Sequence, residues 1–172
     1  GSRVMATALI AGATGLVGGE LLTQLLAAAE YDRVVAVVRR PLAIRHPKLV
    51  VVVADFAALE QVAAQLNGDD AFCCLGTTIR TAGSREAFRA VDHAAVLAFA
   101  WAAQRGGVKR FFLVSSLGAD PTSRIFYSRV KGETDLLVRN RMLTEALQLQ
   151  NDTVAHIPLH NQVIPWVMKK NI

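Results

Sequence analysis

The chain has 172 residues and a mass of 18.5 kDa, which suits one domain of the usual ~100–200 residues and leaves little room for a second. With 52% hydrophobic and only 19% charged residues, and a mean hydropathy of +0.32, it is too apolar for a disordered protein and must fold around a sizeable core. Nineteen Lys and Arg against 14 Asp and Glu give a net charge of +5, which favours an anionic partner such as a nucleotide; the basic residues are scattered from Arg33 to Lys170 without interleaved aromatics, which argues against nucleic acid.

Gly1-Ser2-Arg3 reads as the remnant of an expression tag and is set aside from the fold. The run Val4 to Ile10 is then a strand, Gly12-Ala13-Thr14-Gly15-Leu16-Val17-Gly18 a glycine turn, and Leu21, Leu22, Leu25 and Leu26 the apolar face of a helix. Val34–Val38 and Leu49–Ala54 are short, wholly apolar and therefore candidate strands buried on both faces, separated by a loop with Pro41 and Pro47. They end in Arg39-Arg40 and in Asp55. Leu59, Val62, Ala63 and Leu66 predict a helix stopped by Asn67-Gly68, and Ala71–Leu75 a fourth strand ending at Gly76. The adjacent Cys73 and Cys74 suit neither an ordinary disulfide nor a zinc pattern; they alternate across that strand as small apolar residues, with redox sensing a minor alternative, and a reducing cytoplasm is expected.

Phe88, Val91, Ala95, Ala98 and Ala102 line one helical face ending near Gly106-Gly107, before a fifth strand, Arg110–Val114, that terminates in Ser115 and Ser116. The longest unbroken apolar run, Ala94 to Ala103, is about half of the ~20 residues that span a bilayer. No charged leader precedes an apolar stretch, so neither membrane insertion nor secretion is expected. Trp101 and Phe99 are read as packing on the sheet or a helix, and His46 and His93 as surface or capping residues. Five buried strands separated by crossovers predict an α/β fold, a doubly wound parallel sheet in three α/β/α layers, with ligands at the carboxyl ends of the strands. The polar signatures fall there.

Each of these carries a specific chemistry. Gly12 permits a tight turn, Gly15 lets a pyrophosphate approach the backbone, and Gly18 allows close helix packing; Gly12, Thr14, Gly15, Leu16, Val17 and Gly18 are the candidate cofactor-binding positions at the helix amino end. About 20 residues beyond the last glycine, where an acid would hold the ribose 2′-hydroxyl of NAD, stand Arg39 and Arg40. Their guanidinium forks suit a 2′-phosphate and favour NADP(H) over NAD(H), unless they are only two solvated arginines. Asp55 and Phe56 could meet the adenine, or Asp55 is a helix cap. Tyr127 and Lys131 lie four apart on one helical face, where an ammonium lowers a phenol's pKa and binds ribose. Such a phenol is a general acid or base for carbonyl chemistry, and Ser116, with Ser115 as the alternative donor, would bond the developing alkoxide.

These motifs resemble the short-chain dehydrogenase/reductase superfamily, in its extended and atypical branches with Gly-Ala-Thr-Gly-x-x-Gly. Ala71 to Thr78, Ala82-Gly83-Ser84 with Phe88 and Val91-Asp92, Ser115 to Asp120, and Phe126-Tyr127 through Lys131-Gly132-Glu133 resemble the HIV Tat-interacting oxidoreductase homologue group of atypical NAD(P)-binding proteins. The resemblance spans residues 4–138. It implies a Rossmann fold, a dinucleotide cofactor, Ser116, Tyr127 and Lys131 as the catalytic residues, and Leu75, Gly76 and Thr77 as a cofactor-lining loop. Several members bind NADPH as regulators, so the alternative to an NADP-dependent oxidoreductase is a non-catalytic NADPH sensor acting through a protein partner.

Residues 139–172 depart from that pattern and are read as a divergent segment of the same domain, a helix extension from Arg139 to Gln150 followed by strand or loop from Asp152 to Ile172. His156 and His160 have a helical zinc spacing, but Pro158 between them opposes the helix, so no metal site is expected. Trp166 and Val167 would cover a hydrophobic edge, in this chain or a partner. The expected partners are a dinucleotide and a small-molecule substrate, with a homodimer plausible for the fold.

Overall fold

A computed structural model describes residues 5–152. The expectations for Gly1-Ser2-Arg3, His156, His160, Trp166 and Val167 lie outside the described residues. Five parallel strands, β1 (Ala6–Ala11), β2 (Tyr31–Val38), β3 (Leu49–Val53), β4 (Asp70–Cys73) and β5 (Arg110–Leu113), form one sheet in the order β3-β2-β1-β4-β5. The chain starts in the centre, winds outward through β2 and β3, then crosses to β4 on the other side of β1. The reversal puts the topological switch point between the carboxyl ends of β1 and β4, the crevice where such sheets bind ligands.

Period-2 alternation assigns the two faces of the sheet. Ala8, Ile10, Val34, Ala36 and Val38 point to one side, where Leu22, Leu25 and Leu26 of helix α1 (Leu16–Ala27) cover them. Leu9, Ala11, Val35, Val37, Val52, Ala71 and Cys73 point to the other. There they meet α4 (Val96–Arg105) through Val96, Phe99 and Ala100, and α5 (Phe126–Asp152) through Val138. Cys73 is fully buried in this layer while Cys74 is half-buried, as alternation requires. Phe99 is buried against Phe111, with ring centroids 5.9 Å apart, and Trp101 lies under the Arg141 guanidinium at 5.1 Å. Among the described residues no helix is long and apolar enough to cross a membrane.

Two elements differ from the sequence expectation. The helix read from Leu59 to Leu66 is a 3-10 segment, Phe56–Gln65, broken at Ala58 (φ −138°, ψ 38°). Phe56, Leu59 and Val62 pack on the core, and their spacing of three is the repeat of a 3-10 turn rather than of an α-helix. A short helix, α2 (Ile79–Ala82), precedes the helix read through Phe88 and Ala102, which starts as α3 (Arg85–Arg89), widens into a π-turn at Ala90–Ala95 and continues as α4. The side chains of Thr78 and Ser84 cap α2 and α3 by accepting from the amides of Thr81 and Ala87.

Candidate dinucleotide and active site

The glycine turn between β1 and α1 is sterically obligatory. Gly12 has φ +82°, and a Cβ there would lie 2.5 Å from the carbonyl carbon and oxygen of Cys74 at the end of β4. A Cβ on Gly18 would run into the Gly12 carbonyl oxygen, so only glycine lets the first turn of α1 sit against the loop. Gly15 differs: its Cβ would meet nothing nearer than the Gly12 oxygen at 3.5 Å, which leaves its backbone face open. Gly15 is also the N-cap of α1, without a side-chain cap and without an acidic residue in the first turn. The amide groups and positive dipole end of a twelve-residue helix are therefore free for an anion. Leu16 and Val17 expose their side chains beside it, as does Thr14. The turn fits a dinucleotide pyrophosphate on this geometry.

Arg39 and Arg40 follow β2 as exposed residues, and among the described residues neither has an ion-pair partner. Asp55, after β3, accepts a hydrogen bond from the Ala57 amide at 2.9 Å and so caps the 3-10 segment, while Phe56 turns into the core at 8% exposure. These residues share the carboxyl edge of the sheet with the glycine turn, with Arg39 and Arg40 at the strand next to β1 and Asp55 one strand further out.

On the other side of the switch point, α5 carries Tyr127, Lys131 and Asp135 at successive i, i+4 positions, one stripe of the helix. Lys131 Nζ lies 5.8 Å from the centroid of the Tyr127 ring, whose other neighbour is Phe88 at 5.4 Å. The ammonium is 2.5 Å from Asp92 Oδ1, in a pair whose side chains are 10% and 0% exposed. The loop after β4 closes over this pair: a Cβ on Gly76 would lie 3.5 Å from Lys131 Nζ and 3.6 Å from Asp92 Oδ1, and the Thr77 amide donates to Asp92 Oδ2 at 2.9 Å. Thr77 is thus joined to Lys131 through Asp92, with Gly76 lying over the pair.

The serine pair after β5 separates into two roles. The Ser115 hydroxyl donates to Asp135 Oδ2 at 2.6 Å, whereas Ser116 Oγ is buried and has no hydrogen-bond partner. A buried hydroxyl without a partner is costly, and of the two serines it is Ser116 whose hydrogen bond is left unmade. Burial raises the Asp135 carboxyl above its ordinary range, partly offset by the Ser115 hydrogen bond and the charge of Lys131.

Sequence reasoning missed three residues here. Asp92 was visible only as part of a motif, Asp135 carried no signal beyond its i+4 spacing from Lys131, and His93 is not a surface or capping residue. Its Nδ1 lies 2.8 Å from Thr134 Oγ1, between the π-turn and α5. The Thr134 hydroxyl sits 2.8 Å from the Val130 carbonyl and 3.1 Å from that of Asp92, and its single proton goes to one of them, so His93 Nδ1 is the donor. Burial, with Arg89 nearby, lowers the His93 pKa against the opposing charge of Glu133. Among the described residues no group of three His, Cys, Asp or Glu side chains could hold a metal.

A family model described as NAD(P)H-binding matches residues 12–153. The chain is 41% identical over 133 residues to Protein HTATIP2 of Rattus norvegicus, covering 75% of this chain and 54% of that protein. It is 35% identical over 130 residues to the mitochondrial Protein FMP52 of Saccharomyces cerevisiae, covering 74% and 56%. The chain spans about half the length of the curated relatives it matches. Among solved structures, uronate dehydrogenase from Agrobacterium tumefaciens superposes with a TM-score of 0.64 at 21% identity, covering 81% of this chain and 57% of that one. UDP-glucose 4-epimerase from Thermotoga maritima superposes at 0.65 and 14%, covering 81% and 52%; at such identities the likeness is one of fold. The glycine turn, the sheet order and the family match agree, and the chain belongs to the NAD(P)H-binding family, as an atypical short-chain dehydrogenase/reductase with a Rossmann fold.

Proposed function

We propose that this chain is the cofactor-binding part of an NADP-dependent oxidoreductase that acts on a small carbonyl or alcohol. The observation that carries the reading is the unpartnered, buried Ser116 hydroxyl, whose neighbour Ser115 is bonded to the α5 stripe that presents Tyr127 and Lys131. A hydrogen-bond donor held dry and unused, next in the chain to a serine bonded to that stripe, suits a substrate oxygen that gains charge during reaction. The bound nicotinamide would supply the hydride chemistry.

This chain's own residues would do the rest. The open Gly15 backbone and the amino end of α1 hold the pyrophosphate, Arg39 and Arg40 take the 2′-phosphate, and Leu75, Gly76 and Thr77 line the nicotinamide side. Tyr127 exchanges a proton with the substrate oxygen, Ser116 orients that oxygen, and Lys131 sets positive charge beside the phenol.

Parallel calorimetric titration with NADPH and NADH tests the first half. NADPH is expected to bind at least about tenfold more tightly, and Arg39→Ala/Arg40→Ala to remove the difference. Equal affinities would refute the assignment of the arginines, and failure to bind either dinucleotide would refute the whole reading. For the second half, Tyr127→Phe is expected to keep NADPH binding and lose carbonyl reduction; retained reduction would remove Tyr127 from the mechanism.

A further inference from the structure

We propose that the substrate carries an oxyanion, a carboxylate or phosphate close to its reacting carbonyl, and that Arg85 and Arg129 bind this group at the Phe126 ring. The inference rests on the oxidoreductase reading above and names the substrate class of that same site.

Two segments come together at Tyr127. One follows β4 and carries the Leu75–Thr77 loop, α2 and α3; the other follows β5, carries Ser115 and Ser116, and enters α5. Phe88 of α3 is wholly buried between them, 5.9 Å from the Phe126 ring and 5.4 Å from that of Tyr127. A guanidinium from each segment lies at the same Phe126 ring, Arg85 at 5.0 Å and Arg129 at 5.7 Å from its centroid. Two cations are thus gathered at the residue that precedes the phenol.

Neither has an ion-pair partner among the described residues. Arg85 is exposed and makes no hydrogen bond there. Arg129 donates Nη1 to the Ser123 carbonyl at 2.9 Å, which fixes its direction and leaves Nε and Nη2 for a ligand. The acids of these segments do not neutralise the two. Glu133 pairs with Arg89, Asp92 with Lys131, and Asp135 accepts from Ser115. Asp120 accepts from the Thr122 amide and hydroxyl, and Glu86, next to Arg85 in α3, lies beyond ion-pair distance of it. The first turn of α5 adds no acid, and exposed Arg124 just before it adds a further positive charge.

An aromatic face attracts an exposed guanidinium weakly and does nothing to relieve the repulsion between two of them. An oxyanion relieves it, because its oxygens accept from both forks and its charge offsets theirs. A neutral ester or alcohol in the same place leaves the cations unpaired, so the site discriminates by charge. The anion takes no part in hydride or proton transfer. It holds the carbonyl in place for Tyr127 and Ser116, and binding by a group remote from the reacting atoms fixes their orientation.

The test uses the full chain, saturated with NADPH, and two pairs of aldehydes: 4-oxobutanoate against its methyl ester, and glyceraldehyde 3-phosphate against glyceraldehyde. At least one charged member is expected to be reduced with a kcat/KM at least about tenfold above its neutral partner. The pair that responds tells carboxylate from phosphate. Arg85→Gln should lower that preference below about threefold, mainly through KM; Arg85→Lys should restore part of it, and Arg85→Glu should turn it toward the neutral member. An arginine that only packs on Phe126 would lower both members of a pair equally and leave the preference intact, which overturns the proposal. So does a parent that binds NADPH and reduces charged and neutral members equally, or reduces none of the four. A tenfold loss of NADPH affinity in Arg85→Gln would place Arg85 in the dinucleotide site and also overturn it. The second readout needs no turnover: in the ¹⁵N-arginine side-chain NMR spectrum of the NADP⁺-saturated parent, the Arg85 and Arg129 Nε signals should shift with the charged probe and not with its neutral partner. Unmoved signals overturn the proposal. A parent that binds no dinucleotide refutes the oxidoreductase reading itself, an outcome distinct from all of these.

Discussion

Gly12→Ala isolates the steric requirement at the switch point, and its cost follows from two separable terms. At φ +82° the backbone is left-handed, which costs an L-residue about 1–2 kcal/mol. The new Cβ would also stand 2.5 Å from the Cys74 carbonyl carbon and oxygen and 2.7 Å from the Leu75 amide nitrogen. Those atoms are backbone at the end of a central strand and cannot swing aside as a side chain tip would. Forcing a methyl into such a space costs about 1–3 kcal/mol, so the total loss is about 2–5 kcal/mol. Gly83 is the internal control: it has φ +90° but nothing within 4 Å of an added Cβ, so Gly83→Ala carries only the left-handed term of about 1–2 kcal/mol. Urea unfolding followed by far-ultraviolet circular dichroism, with the slope unchanged between variants, gives both values. If Gly12→Ala loses no more stability than Gly83→Ala, the close approach of the turn to β4 does not constrain the fold and the steric argument is wrong.

The remaining predictions concern charge. Asp70 is 3% exposed and accepts from Arg110 at 2.7 and 2.6 Å and from the Tyr31 hydroxyl at 2.5 Å. Because the guanidinium is 68% exposed, water replaces part of what Arg110→Met removes, and a loss of about 1–3 kcal/mol is expected in urea unfolding; a change below about 0.5 kcal/mol would show that the pair contributes nothing. Asp135 has its folded-state pKa raised by burial, so the folded chain binds that proton more readily than the unfolded chain. Stability therefore falls as pH rises from the ordinary aspartate range through the raised folded value. Asp135→Asn keeps an acceptor for Ser115 and should raise the Tm at pH 7, with the gain shrinking toward pH 4; a gain independent of pH would contradict the assignment. Burial pushes the Cys74 thiol up to about 11 and the Cys73 thiol to about 12. At pH 8 only roughly one Cys74 in a thousand is thiolate. Iodoacetamide labelling followed by mass spectrometry should track unfolding, and rapid modification of the native protein would refute this.

The order of strands and crossovers, the glycine turn and the Tyr127–Lys131 spacing were legible along the chain because each is set by neighbours a few residues apart. Gly12 to Gly18 follows an apolar run and opens a helical repeat, and the steric need for those glycines arises within one turn, apart from the contact with Cys74. The 3-10 segment was misread because Leu59 and Val62 satisfy both a period of three and a period near 3.6, Leu66 beyond them fits only the latter, and Phe56, which favours three, lies just before the apparent start. Nothing local distinguished Ser115 from Ser116. The tertiary structure did, through Asp135, twenty residues on. The same holds for Asp70, which meets Tyr31 across 39 residues and Arg110 across 40, and for Asp92, which reaches Lys131 only because the π-turn and α5 pack on one side of β4 and β5. Backbone sterics and hydrophobic period act over one turn of chain and are written in the sequence. The pairing of buried charges depends on which strand ends the winding of the sheet brings together.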